Sequence, residues 1–332
     1  MGIQVELFDD LDAAERDAAG ALDRAAQPSL FDRIAWFRLV AEHCPPPGRL
    51  IVAKAQEMSR KGWLFLAADL PRARAWANWY SLRVGAVGDA NLLEAAAKML
   101  RSGGVADLML SPMEDPEPLA RALRKAGWAT FVEPATASWQ AATAGMSFDE
   151  WWAKRPARLR NTAERKARTA GVETLVYKQF DEVAWAEYEQ VYRSSWKPEE
   201  GSFPFLRALA EEEGAAGTLR LGIARMDRKA VAAQLWLVEN GRATIHKLAY
   251  DEAAKALSPG TILSMAMFRS AIDEDRVGRI DYGTGDEPYK ADWMDERHLL
   301  WRLQAYDPRT LTGLTGIARL AASRLVRRVR RL

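Results

Sequence analysis

The sequence predicts a mixed α/β protein built as two domains, and three observations carry that expectation. With 332 residues the chain exceeds what one hydrophobic core usually organises. Strand-like apolar segments alternate with helical ones along its length. The composition, 48% hydrophobic and 28% charged, supplies apolar material for two cores and excludes disorder except at the ends.

The elements of the first half, residues 1–143, follow in order. DDLDAAERDAAGALDRAA (9–26) reads as an alanine-rich surface helix. PSLFDRIAWFRLVAEHCPPPG gives a helix capped by Ser29 or Asp32, with Ile34, Phe37, Leu39 and Val40 on its apolar face and three prolines to stop it. LIVAKA and WLFLAADL read as strands separated by SRKG. A helical stretch at Asn91–Leu100, the strand VADLMLSP, the short helix PEPLARALRKAGW and the strand ATFVEPATASWQA complete an α/β half without recognisable catalytic chemistry.

The second half, residues 144–310, opens with SFDEWWAKRPARLRNTAERKARTAGV, helical on both sides of a break at Pro156 and ended by Gly171. ETLVYKQF reads as a strand and EVAWAEYEQVYRSSW as a helix. TLRLGIARMDRKAVAAQLWLVENGRATIHKLAYD is the clearest pattern: three strands joined at Met226–Lys229 and at Glu239-Asn240-Gly241, where Asn-Gly is a strong hairpin signal. LSPGTILSMAMFRSAIDEDRVG is then a helix and RIDYG a short strand, so that strand, helix and strand form a βαβ unit.

Charge and motifs exclude several classes. The acidic opening has no apolar run, so neither a signal nor a transit peptide is expected, and Glu6 stands where a myristoylation motif has Ser or Thr. No 18-residue apolar run occurs, and the single Cys44 fits a cytoplasmic, reducing compartment. Net charge is +2, yet Lys154–Arg168 alone carries a balance of +6, and the last 22 residues hold six arginines and no acid. Two basic patches on an acidic body suggest local anion contacts rather than DNA binding. GTGDEP has Pro288 where a dinucleotide fingerprint needs its third glycine, and no Walker loop, GxSxG elbow or HExxH is present. Three scattered histidines and one cysteine make a metal site improbable.

The strongest functional signal lies in Arg242–Gly283. Ser258 suits a helix N-cap, Pro259 the first helical position, and Gly260 leaves the next amide unshielded. A helix begun by Ser258-Pro259-Gly260-Thr261-Ile262 presents amides and the positive end of its dipole to an anion.

The three-strand meander, the LSPGTIL helix and RIDYGTGDEPYKADW together resemble the C-terminal half of FemAB-like proteins of the GNAT acetyltransferase superfamily. LRNTAERKARTAGV and PSLFDRIAWFRLV resemble the corresponding segments of that branch. The resemblance implies an α+β mixed sheet in two tandem GNAT-like domains, the second gripping the pyrophosphate of an acyl-CoA donor at Ser258–Ile262. It departs from standard GNAT enzymes in having Ser-Pro-Gly where they carry a glycine-rich loop. No permanently bound cofactor is implied; acyl-CoA, or acyl carrier protein, is the co-substrate.

Acylating an amine requires its free base, about a thousandth of an alkylamine of pKa ~10 at neutral pH. His246, on the strand entering the anion site, is the first candidate for the base. Asp281 is a candidate to orient His246, hold the ammonium or act as base itself. Tyr250 and Tyr282 are candidates to protonate the departing thiolate, and Lys290 to meet a phosphate or polarise the carbonyl. Trp196, Tyr282, Tyr289 and Trp293 are candidates for the substrate channel. IARLAASRLVRRVRRL, in the segment 311–332, places Ile317, Leu320, Ala321, Leu325, Val329 and Leu332 on one helical face among arginines, a helix fit for an anionic membrane surface. Members of the resembled branch include ceramide synthases, which implies long-chain acylation of a sphingoid amine by a cytoplasmic, peripheral membrane enzyme. Aminoacyl-tRNA-dependent peptidoglycan transfer, acetylation in a polysaccharide pathway, and a non-catalytic accessory role stand as alternatives.

Overall fold

The computed structural model describes residues 2–329, and its first strand falls where the sequence shows only an acidic opening. Gln4–Phe8 is β1, and α1 (Leu11–Ala18) follows, capped by Asp10, whose carboxylate accepts the Asp12 and Ala13 amides at 2.9 and 3.1 Å. The helix ends at Ala19, in the left-handed region at φ 51°, well before residue 26. Neither Ser29 nor Asp32 caps α2 (Ile34–His43). A 3-10 turn at Leu30–Asp32 comes first, and the helix starts after Arg33, whose guanidinium donates to the carbonyls of Gln27 (2.9 Å) and Pro28 (3.1 Å).

β2 (Arg49–Glu57) and β3 (Arg60–Asp69) form the expected antiparallel pair. Then come β4 (Arg72–Ala75), the two-residue β5 (Val87–Gly88), α3 (Leu93–Ser102), β6 (Asp107–Met113), α4 (Glu117–Lys125) and β7 (Ala129–Ala142). β4 runs antiparallel to β3 and parallel to β6. Leu64, Leu66, Leu100, Leu108, Leu119 and Leu123 meet in the core beneath them.

α5 (Phe148–Ala153) is set by a capping box in which Ser147 and Glu150 bond each other's backbone, and Pro156 separates it from α6 (Ala157–Thr169). β8 (Val172–Tyr177) and α7 (Glu182–Arg193) match the sequence reading; α8 (Phe203–Ala215), capped by Ser202, was not legible there. β9 (Leu219–Met226), β10 (Lys229–Glu239) and β11 (Arg242–Tyr250) form the antiparallel meander. Both of its turns have two consecutive residues at positive φ, Asp227-Arg228 (49°, 64°) and Asn240-Gly241 (51°, 71°), the hand that matches strand twist. α9 (Pro259–Arg269) crosses to β12 (Arg279–Thr284), which pairs parallel with β11 as the βαβ reading requires. α10 (Lys290–Trp293), β13 (Glu296–Tyr306) and α11 (Leu311–Val329) close the chain. Gly222 on β9 lets α9 approach closely: a Cβ there would stand 2.4 Å from the Met267 sulfur.

The chain divides into residues 1–136 with 299 onward, and residues 137–298. This differs from a linear division at 143 and 310, because β13 returns to the first unit. It pairs antiparallel with β6 (Leu303↔Leu110, Ala305↔Leu108) and buries Leu303 and Ala305 in that core. α11 belongs there too, with Arg324 reaching Glu133 at 3.1 Å. The side chains expected at the end of the basic face, Leu325, Arg327, Arg328, Val329, Arg330, Arg331 and Leu332, lie outside the described residues.

Each unit repeats one order: a strand, two helices, three antiparallel strands, a helix, and a strand parallel to the third of the three. Both are mixed α/β. Among the described residues no helix is long and apolar enough to cross a membrane.

Candidate active site

The second unit opens between β11 and β12. These strands pair only at Arg242↔Arg279, Ala243↔Ile280 and Thr244↔Asp281, and then diverge. One cause is on β11, where Leu235 of β10 pairs with Lys247 but Trp236 with Ile245, so His246 is the extra residue of a bulge. A cavity of about 410 Å³ fills the gap. Leu248, Ala249 and Tyr250 line it from β11, Tyr282 from β12, Ser258–Thr261 and Ser264 from α9, and Trp196, Tyr289 and Trp293 from the flanking segments.

Nine of the thirteen site residues expected from the sequence therefore line one cavity: Trp196, Tyr250, Ser258, Pro259, Gly260, Thr261, Tyr282, Tyr289 and Trp293. Ser258 arrives there differently from a side-chain cap. A 3-10 turn over Glu252–Leu257 ends on it in the left-handed region (φ 56°), its hydroxyl caps nothing, and its carbonyl accepts the Thr261 and Ile262 amides at 3.1 Å each. Gly260 presses against Tyr250, with room for a Cβ only 3.2 Å from the ring. Lys255, bonded to Glu252 at 2.9 Å, supplies positive charge at the rim.

The other four do not line it. His246 is buried, and burial pushes its pKa down to about 3, with Lys247 lowering it further. A ring held neutral so firmly is a poor proton acceptor at neutral pH, which removes the reason for choosing it as base. Asp281 is bound into the sheet by Ser138 Oγ (2.7 Å), the Gly283 amide (2.9 Å) and Arg242 (3.2 Å). Lys290 gives its buried ammonium to the carbonyls of Thr284 (2.9 Å) and Gly285 (3.3 Å) and to Glu287 (2.9 Å), which ties down the loop rather than meeting a phosphate. Ile262 is core.

Sequence reading missed Gln234, Ser264, Leu248 and Lys255. Gln234 had a signal, a lone polar residue in the apolar run AVAAQLWLV. It accepts from Trp236 Nε1 (2.8 Å) and donates to Ser264 Oγ (2.7 Å), fixing that hydroxyl beneath Tyr282. Burial raises Tyr282 well above the usual tyrosine range and Tyr289 to about 12, so both phenols keep their protons. The cavity thus offers neutral hydroxyl donors beside a helix start.

Residues 153–291 match a family model described as an acetyltransferase (GNAT) domain. The second unit carries a GNAT domain. With it the chain is an acyltransferase, of a class that uses acyl-CoA as co-substrate. No curated protein matches the chain in sequence. Among solved structures, the C-terminal domain of a protein described as a lysylphosphatidylglycerol synthetase from Agrobacterium fabrum is similar at 15% identity and TM-score 0.60, covering 93% of this chain and 95% of that one. FemX is similar at 9% identity and TM-score 0.55, covering 80% of this chain and 94% of its own. L-PGS from Bacillus licheniformis is similar at 13% identity and TM-score 0.51, covering 88% and 95% respectively. At these identities the likeness is one of fold. The GNAT domain match ends one residue past Lys290 and so spans the meander, α9 and β12, the elements that build the cavity.

Proposed function

We propose that the GNAT domain transfers an acyl group from acyl-CoA to an amine, with the donor's pyrophosphate at the start of α9 and its thioester in the gap between β11 and β12. The observation that carries this reading is the cavity itself, which joins a helix N-terminus, Lys255 and three tyrosines where two parallel strands separate. The amine nitrogen attacks the thioester carbon, the carbonyl oxygen takes the charge, and the carbon–sulfur bond then breaks to release the thiolate, which is protonated as the ammonium formed on the amide nitrogen loses its proton. Tyr282 and Tyr289, protonated at neutral pH, donate hydrogen bonds to the developing charge. Leu159, Trp196, Leu248 and Trp293 give the cavity an apolar side for the acyl chain.

For the acceptor we favour a lipid amine, the sphingoid type included. On α11 Leu320 of the expected apolar face is buried, but Leu311 is 83% and Leu314 50% exposed, in a sequence segment rich in arginine, which suits an anionic membrane surface. An aminoacyl-tRNA donor is disfavoured, because the basic cluster spends Arg155 on the Trp293 carbonyl, Arg158 on Asp292 and Lys166 on the Ala256 carbonyl.

The test is thermal stability against CoA, acetyl-CoA and palmitoyl-CoA, with acyl carrier protein as a further donor. At 100 times Kd a ligand bound only to the native state adds roughly 2.7 kcal/mol. A larger shift with palmitoyl-CoA than with acetyl-CoA is expected. No shift with any CoA species would overturn the reading.

A further inference from the structure

The end of β11 carries a second group of charges, on the face away from α9. Leu248 pairs in register with Gln234 and lines the cavity, whereas Lys247 points the other way, over the Tyr192 ring of α7. Glu200, buried, holds Lys247 at 3.0 Å and receives the Tyr192 hydroxyl. Glu287 holds Lys290 at 2.9 Å. Each glutamate of the group thus has its lysine.

Lys197 is the third lysine and has no carboxylate of its own. Among the described residues its ammonium makes no hydrogen bond or ion pair; the rings of Trp196 (5.8 Å) and Tyr192 (5.9 Å) flank it, and the charges of Lys247, Glu200, Lys290 and Glu287 reach it only from beyond ion-pair distance. Cation–π contact at that range is weak compensation for lost water. Burial, with Lys247 next in effect, lowers its pKa to about 8. Trp196, its chain neighbour, lines the cavity; Glu200 acts on the Lys197 charge while paired with Lys247, and Lys290 and Glu287 act on it from the loop that puts Tyr289 there. A half-buried cation that no carboxylate of the described residues pairs, next to a cavity, is what an anion would complete.

We propose that Lys197 receives an anionic group, a carboxylate or a phosphate, carried by the acceptor, and so holds the acceptor's amine towards the gap between β11 and β12. This rests on the acyl-transfer reading and narrows it. The acceptor is an amine with a nearby negative charge, such as an amino acid or a phosphoethanolamine headgroup, and within the lipid amines favoured above, the sphingoid type included, one that carries a phosphate is preferred to the plain base.

Release of CoA from palmitoyl-CoA would be followed with matched amines: ethanolamine against phosphoethanolamine, phenethylamine against phenylalanine, and sphinganine. The wild type should show a KM at least about tenfold lower for the charged member of a pair, and which pair responds separates phosphate from carboxylate. Lys197→Met should raise the KM of the charged member alone, and Lys197→Arg should keep the preference. Equal KM values in the wild type, or a kcat loss for both members in Lys197→Met, would overturn the proposal and, in the second case, point to Lys197 as a base. A readout independent of turnover is acetylation of Lys197 by acetic anhydride, quantified by mass spectrometry against exposed Lys125. Phosphate or acetate should slow it at least threefold relative to chloride at equal ionic strength. Protection of Lys197 without any CoA-dependent stabilisation would keep the anion site and remove the acyl-CoA reading. No protection together with no charge preference would remove the anion site alone.

Discussion

Lys197 and His246 both carry pKa values pushed down by burial, and both therefore tie stability to pH in the same direction. A cation whose folded pKa is depressed binds fewer protons folded than unfolded, so stability rises with pH between the two values. For Lys197 the window runs from about 8 to its ordinary 10.5. Below pH 8 the buried charge costs roughly 3 kcal/mol, at ~1.4 kcal/mol per pKa unit. Lys197→Met should thus be more stable than the wild type in urea at pH 7, with the gap closing above pH 10.5. A gain in stability alongside a lost charge preference is the signature of a residue kept for binding. For His246 the window runs from 6.5 down to about 3, so its contribution is complete above pH 6.5 and is lost as the solution is acidified through that range. His246→Asn should flatten the acid limb of the stability curve and leave turnover at pH 8 within about threefold. A hundredfold loss in a folded variant would restore the histidine as base.

At the level of elements, the site depends on how α9 begins and on where β11 stops pairing. Gly260→Ala places a methyl 3.2 Å from the Tyr250 ring, tighter than nine in ten real contacts, so the ring, which lines the cavity, must give by a few tenths of an ångström. Donor Kd should rise about tenfold by calorimetric titration, equivalent to ~1.4 kcal/mol, with little change in melting temperature. An unchanged Kd would place the donor elsewhere. The start of α9 was legible because Ser-Pro-Gly is a local signal. The bulge at His246 was not, since the extra residue appears only when β10 and β11 are aligned against each other. His246 therefore looked like an ordinary residue of the strand entering the site, whereas it is the extra residue of a bulge and is buried.

For the whole molecule, the decisive feature is the return of β13 to the first unit. Ending the chain at His298 removes Leu303 and Ala305 from that core. It also removes Asp307, which holds Arg101 at 2.7 Å with both side chains buried. Leaving Arg101 buried without its partner costs several kcal/mol by itself. The truncated chain should lose the cooperative melting of the first unit in calorimetry and become sensitive to protease within residues 1–136. Full retention of that transition would show that β13 is dispensable.

The sequence by itself determined what is decided over a few residues: the turns at Asp227-Arg228 and Asn240-Gly241, the break at Pro156, the βαβ order of β11, α9 and β12, and the helix start that faces the cavity. Those signals are steric or hydrogen-bonding choices made by neighbours in the chain. Tertiary structure alone decided the roles of charged residues. Lys290 and Asp281 look catalytic in a string of letters, yet each is consumed by partners that the fold supplies. Lys197, unremarked in the sequence, became a candidate because both nearby glutamates had already been taken. Electrostatic role depends on what surrounds a group in three dimensions, and β13 shows the same of domain borders: its partner strand β6 lies almost 200 residues earlier in the chain.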